Sequence, residues 1–313
     1  MCAAALVAGC AHAPRVEYPA AAAGAVELTQ TPFYAQETHQ CGPAALAIAL
    51  DASGAAVTPD DLVPQIYLPG RRGSLQIELI AATRRHQRIP YVLAPEAAAL
   101  FAEVAAGHPV LVLQDLGIGP LHVWHYAVVI GYSAQPQRVL LRSGTTRRLD
   151  MAFDDFAATW RKSGFWALVV LPADVLPATA EAGRYIDSIV PLETLGDFAT
   201  ARAAYATALA RWPDDPLALF GLANADYRLG DFTAAQATYA ALLARSPGNA
   251  IVLNNLAEVL IARGCPNAAL QSVDQALRGN PDATVGAAIA DTRAKALAAR
   301  AAGREHDAAG CAR

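Results

Sequence analysis

Apolar and polar positions follow two rhythms along this chain, and the change between them divides it. Apolar residues run almost unbroken from Ala44 to Leu50 and stop near Gly54, which predicts a buried helix opened by Cys41, Gly42 and Pro43. Pro59-Asp60-Asp61-Leu62 reads as a second helix start, and residues 66–73 as a loop punctuated by Pro69, Gly70 and Gly73. Residues 74–85 carry apolar positions at 75, 77, 79, 80 and 82, with Ser74 placed to cap them, and residues 94–106 form a further short helix. Then the period changes. Residues 109–114, 125–132, 138–142 and 165–171 are short apolar runs of strand type. Helices first and consecutive strands later predict an α+β domain over residues 27–172, with an antiparallel sheet packed on helices.

Residues 173–183 cross a shift in composition and read as a linker. Beyond them the pattern is helical and repeats. Gly196-Asp197-Phe198, Gly230-Asp231-Phe232 and Gly264-Cys265-Pro266 recur every 34 residues, as do Pro213, Pro247 and Pro281. Ala201, Ala235 and Ala269 keep the same step, and so do Tyr205, Tyr239 and Val273. A small alanine lets two antiparallel helices approach, an aromatic fills the gap to the next pair, and a proline stops the helix. This period and these positions carry the tetratricopeptide signature. The prediction is an all-α solenoid over residues 184–303, with about three repeats, a capping helix over 282–302 and a tail over 304–313. Its groove would bind a peptide or a partner protein.

Composition changes this picture little. A chain of 313 residues accommodates two domains, and its 54% hydrophobic share comes largely from alanine, which favours helix. The formal net charge of -4 makes no broad electrostatic case for nucleic acid or anionic lipid. Cysteines at 2, 10, 41, 265 and 311 contain no CxxC pair, so neither a zinc site nor a disulfide framework is expected. No cofactor or metal is implied. At the start, Val7-Ala8-Gly9-Cys10 resembles a bacterial lipoprotein cleavage box in which Cys10 carries the lipid. Residues 1–26 then read as signal and tether, with residues 18–25 flexible, and the absent basic residues imply a start codon further upstream. By resemblance to Gram-negative lipoproteins, Ala11 rather than Asp after the lipidated cysteine implies the outer membrane, with the protein facing the periplasm.

Candidate chemistry begins at Cys41. A thiol at a helix N-terminus meets unpaired N–H groups and the positive end of the macrodipole, the usual means of making a reactive thiolate. His125 opens its strand directly after an irregular segment, a place where a side chain can serve as general base and general acid. His122, three residues earlier, competes with it. His39, His86 and His108 lie among polar or turn residues and read as surface groups.

In this order, Gln36, Cys41-Gly42-Pro43-Ala44-Ala45-Leu46, His125-Tyr126-Ala127-Val128-Val129-Ile130-Gly131-Tyr132, then Phe156 and Trp160 before a last strand, residues 30–172 resemble the papain-like cysteine peptidases of the bacteriocin-processing, double-glycine-leader type. The resemblance implies a papain-like fold, thiolate attack by Cys41, proton transfer by His125 and an oxyanion held by Gln36, with Gln40 as a rival to Gln36. Where that family has an Asp to orient the imidazole, this chain has Ser143, and Asp150 and Asp154 are the nearby acids. The functions implied are a cysteine peptidase whose repeats recruit a substrate or partner, a peptide-binding scaffold without catalysis, or a Cys/His amide hydrolase acting on cell-wall peptide.

Overall fold

The computed structural model describes residues 16–36, 40–303 and 311. The chain folds into two compact units. Residues up to Ala82 and Val92–Val170 form one, and Thr83–Tyr91 with residues from Leu171 onward form the other.

In chain order the elements up to residue 171 are β1 (Ala25–Glu27), α1 (Cys41–Ala52), α2 (Pro59–Ile66), α3 (Gln76–Arg85), β2 (Ile89–Val92), α4 (Ala97–Ala105), β3 (Val110–Asp115), β4 (Trp124–Ala134), β5 (Gln137–Ser143), β6 (Thr146–Ala152), α5 (Phe153–Arg161) and β7 (Ala167–Leu171). The sheet of the first unit is antiparallel, in the order β7-β3-β4-β5-β6, with β1 on the far end of β4. α1 is apolar all round and buried from Gly42 to Leu50. It packs Leu46, Ile48 and Leu50 against Leu111, Leu113, Val128 and Ile130 of the sheet. This is the predicted α+β arrangement, built on the four strands read from their apolar runs.

Three strands escape that reading. β6 is largely exposed and carries Arg147, Arg148 and Asp150, so it has no apolar signal. It is held instead by pairing with β5 and by ion pairs from Arg148 to Glu27 (2.8 Å) and from Arg138 to Asp150 (2.6 Å). β1 and β2 are only three and four residues long. Ser74 is not the cap of α3, which begins at Gln76. The flexible tether expected over residues 18–25 is also corrected. Tyr18 packs its ring against Phe101 and Phe153, each at 5.2 Å, and Ala22 is buried. One aromatic anchor outweighs an alanine-rich composition. Cys10 and His39 lie outside the described residues.

The second unit is helical. α6 (Ala182–Thr194) and α7 (Phe198–Arg211), α8 (Pro216–Leu229) and α9 (Phe232–Arg245), and α10 (Ala250–Ala262) and α11 (Pro266–Arg278) form three pairs, followed by α12 (Ala283–Ala301). Ala201, Ala235 and Ala269 are fully buried, and Tyr205, Tyr239 and Val273 beside them are too. Gly230 adopts φ 84°, the left-handed cap that ends α8 at no steric cost to glycine. Asp197 and Asp231 cap α7 and α9 by accepting the N–H groups of Thr200 and Ala234. Cys265 stands in that position in the third pair and makes no cap hydrogen bond. It forms a disulfide with Cys311 instead. The expectation of a mature chain free of structural disulfides, with residues 304–313 as a loose tail, is therefore wrong at Cys311. That residue is buried, and its carbonyl accepts from the Gln236 side chain at 3.1 Å. A sequence separation of 46 gave no sign that the tail returns.

Candidate active site

The first unit carries a cleft of about 1040 Å³ lined by Gln36, Cys41, Ser74, His125, Tyr126 and Gly144, among others. Cys41 is the first residue of α1, as its sequence context predicts. Gly42 is required there, because a Cβ would come within 2.5 Å of Ser74 Oγ. β4 supplies the facing wall. Its pairing with β5 begins at Val128, so the edge around Tyr126 is open on that side. The Tyr126 carbonyl accepts from Gln36 Nε2 at 3.2 Å.

His125 is half-buried, and its Nε2 lies 2.8 Å from Ser143 Oγ. Nδ1 has no hydrogen-bond partner among the described residues, and none joins it to Cys41. Ser143 ends β5, and the next residue, Gly144, turns the chain at φ 58° into β6. That turn does a second job, since the Gly144 carbonyl accepts the Gln36 N–H at 3.1 Å. The segment leading to Gln36 is fixed by Arg142, whose buried guanidinium donates to the carbonyls of Thr31 (2.9 Å), Thr29 and Arg147. The structure thus brings Gln36, Cys41 and His125 to one cleft, with Ser143 hydrogen-bonded to His125. Asp150 is engaged by Arg138, and the group at Nε2 of His125 is Ser143.

Electrostatics departs from the sequence expectation. Burial pushes the Cys41 thiol above its usual range, although N–H groups of Tyr126, Gly42 and Cys41 itself favour the thiolate. Burial likewise pushes His125 down. Desolvation outweighs the helix terminus at Cys41 and disfavours the charged form of both groups.

His122 lies on the same cleft in a different environment. Its Nδ1 is 2.6 Å from Asp115 Oδ2, and its ring stacks on Trp124 at 5.6 Å. Asp115 is 2% exposed and also accepts the N–H groups of Gly117 and Val123, closing the loop between β3 and β4. The His122 hydrogen bond, ahead of those two N–H groups and the Lys162 charge, holds the Asp115 carboxyl down at about 2. Sequence reading missed this clamp, and the Asp-to-His spacing of seven residues was its only signal. Among the described residues no group of His, Cys, Asp and Glu is arranged to hold a metal ion.

A family model described as "Peptidase_C39 like family" matches residues 28–168, which contain all four of these side chains. Two tetratricopeptide repeat models match residues 194–247 and 221–284. The chain carries a Peptidase_C39-like domain followed by tetratricopeptide repeats. A solved C39-like protein from Bacillus anthracis is 19% identical, with a TM-score of 0.39, over 47% of this chain and 97% of that one. The comparison with curated proteins finds no match. Among the described residues no helix is long and apolar enough to cross a membrane.

Proposed function

We propose that the C39-like domain is a cysteine peptidase with Cys41 as nucleophile and His125 as base, and that the repeats bind its substrate or a partner protein. The observation that carries this reading is the His125–Ser143 contact at Nε2, on the cleft that also holds Cys41, which leaves Nδ1 as the available base. Because burial disfavours charge on both groups, the thiol proton moves to Nδ1 as the sulfur bonds to the scissile carbonyl carbon. The carbonyl oxygen becomes an oxyanion held by the free N–H of the Gln36 amide and the backbone N–H of Cys41. Collapse expels the amine, which takes the proton from His125. Water then hydrolyses the thioester and restores the thiol. Ser143 orients the ring but brings no charge to stabilise an imidazolium.

The test is cleavage of a denatured protein probe such as casein by the full chain. Cys41→Ala should abolish turnover, and Gln36→Ala should lower it about a hundredfold. A wild-type chain that cuts nothing, or turnover that survives Cys41→Ala, sinks the reading. The absence of a hydrogen bond between the thiol and imidazole favours one alternative, a peptide-binding scaffold without catalysis. Bound but uncut peptide would support it.

We place the protein in the cell envelope, anchored by lipid on Cys10 and facing the periplasm. The Cys265–Cys311 disulfide supports an oxidising compartment. Palmitate incorporation that persists after Cys10→Ala would count against the anchor.

A further inference from the structure

The cleft has two unlike lips, and neither is used by the chemistry above. The first is the loop between α2 and α3. Leu68 and Gly73 bridge its base, a single helical turn spans Pro69–Arg71, and Arg72 follows in the left-handed conformation. Arg71 and Arg72 therefore stand at the tip of a closed loop, exposed and without a carboxylate partner among the described residues. This loop continues into Ser74, which abuts Gly42 beside the nucleophile and whose carbonyl accepts from the Tyr126 hydroxyl at 3.3 Å. Lys162 also lines the cleft, its ammonium tied to the carbonyls of Asp115 and Gly117, and no Asp or Glu lines it among the described residues. In a chain of net charge -4, the cleft is locally cationic.

The second lip is the loop that leads into His125. Ile118 is 87% and Leu121 73% exposed, and Val123 and Trp124 are about half exposed on the cleft itself. So much apolar surface on one short loop is unusual for a surface with nothing to cover it. The loop is nonetheless held in place, by Asp115 at its base and by Lys162.

We propose that the cleft selects an extended peptide in which acidic residues lie against Arg71 and Arg72 and apolar residues lie against Ile118, Leu121, Val123 and Trp124. Charge complementarity supplies the first half of this selectivity, and continuity of the apolar lip with the cleft wall supplies the second. The proposal rests on the peptidase reading for the position of the cut, but not for the binding preference.

The full chain is given a random dodecapeptide library, and every cut is read by mass spectrometry. Asp and Glu should be enriched about fivefold at fixed positions relative to the cut, and less so at high salt. Leu, Ile, Val and Phe should be enriched about tenfold at other fixed positions. Arg71→Glu with Arg72→Glu should turn the acidic preference into one for Lys and Arg. Ile118→Ser with Leu121→Ser should remove the apolar preference and keep the acidic one. Cuts indifferent to charge, or an acidic preference that survives the double Glu variant, overturn the proposal.

A library left uncut speaks against the peptidase reading, and binding then decides the proposal. Fluorescein-labelled dodecapeptides bearing Leu-Leu with Glu-Glu, or Leu-Leu with Lys-Lys, are titrated into the Cys41→Ala chain. Binding of the acidic peptide about fivefold tighter supports the proposal, and equal binding overturns it. Phosphatidylcholine vesicles that sediment the wild-type chain but not the Ile118→Ser, Leu121→Ser variant, with no peptide preference, would assign the loop to a membrane surface and overturn it too.

Discussion

Two histidines three residues apart share one cleft and could hardly differ more in environment. The start of β4 holds His125 half-buried against a neutral hydroxyl, and burial pushes its pKa down. The loop just before it holds His122 58% exposed, with a buried carboxylate on Nδ1. A carboxylate hydrogen-bonded to an imidazole is present, buried beside the cleft, but on the other histidine. A carboxylate partner is therefore not enough to identify a catalytic histidine. Asp115 takes two backbone N–H groups as well as the imidazole, the arrangement of a loop clamp. Ser143 takes only the ring, the arrangement of an orienting group.

The comparison breaks most readily by exchanging the two roles. His125→Ala should lower turnover about a thousandfold or more, whereas His122→Ala should stay within about tenfold. The reverse order would move the base to His122. Next in size is the cysteine. With Cys41 pushed up, its alkylation by iodoacetamide should keep rising with pH through about 8.5. A plateau below pH 7 would reveal a preformed thiolate–imidazolium pair.

A smaller shift would sharpen the contrast. Ser143→Asp should bring a charge to His125 Nε2, favour its protonated form and move the acid limb of kcat/KM up by about one pH unit. An unmoved limb would mean that Nε2 does not sense position 143. Smallest is a stability effect confined to acid. Asp115 has its folded pKa near 2, below the unfolded value of about 3.9, so its contribution is present above pH 4 and lost as pH falls toward 2. Asp115→Asn should flatten that part of the Tm-against-pH curve. His125 acts in the same direction at higher pH, since a depressed folded pKa costs stability as pH falls below about 6.5.

Much of this was legible beforehand, for reasons that differ by unit. The repeat unit announces itself because Ala201, Ala235 and Ala269 must all be small at equal spacing. The central strands announce themselves because β4 is buried on both faces from Tyr126 to Tyr132 and must be apolar throughout. Cys41 and His125 were read from their places at the starts of such elements, and Gln36 from the family resemblance. The remainder depended on groups that meet only in three dimensions. No pattern joins Arg142 to the carbonyl of Thr31, or Asp115 to the N–H of Val123. Cys265 and Cys311 were similarly silent, because one sits in a turn and the other beyond the last periodic residue. The rise of the thiol pKa was misread for a further reason, since a helix start is visible in a sequence while the depth of its burial is not.

The half-buried position of Cys41 has a consequence for sulfur chemistry in the whole chain. Joining Cys265 to Cys311 needs oxidants, and Cys41 is a free thiol in the same chain. Sulfenic acid and mixed disulfides form through the thiolate, so a thiol kept protonated reacts slowly with them. The desolvation that disfavours the Cys41 thiolate therefore also slows its loss to oxidation.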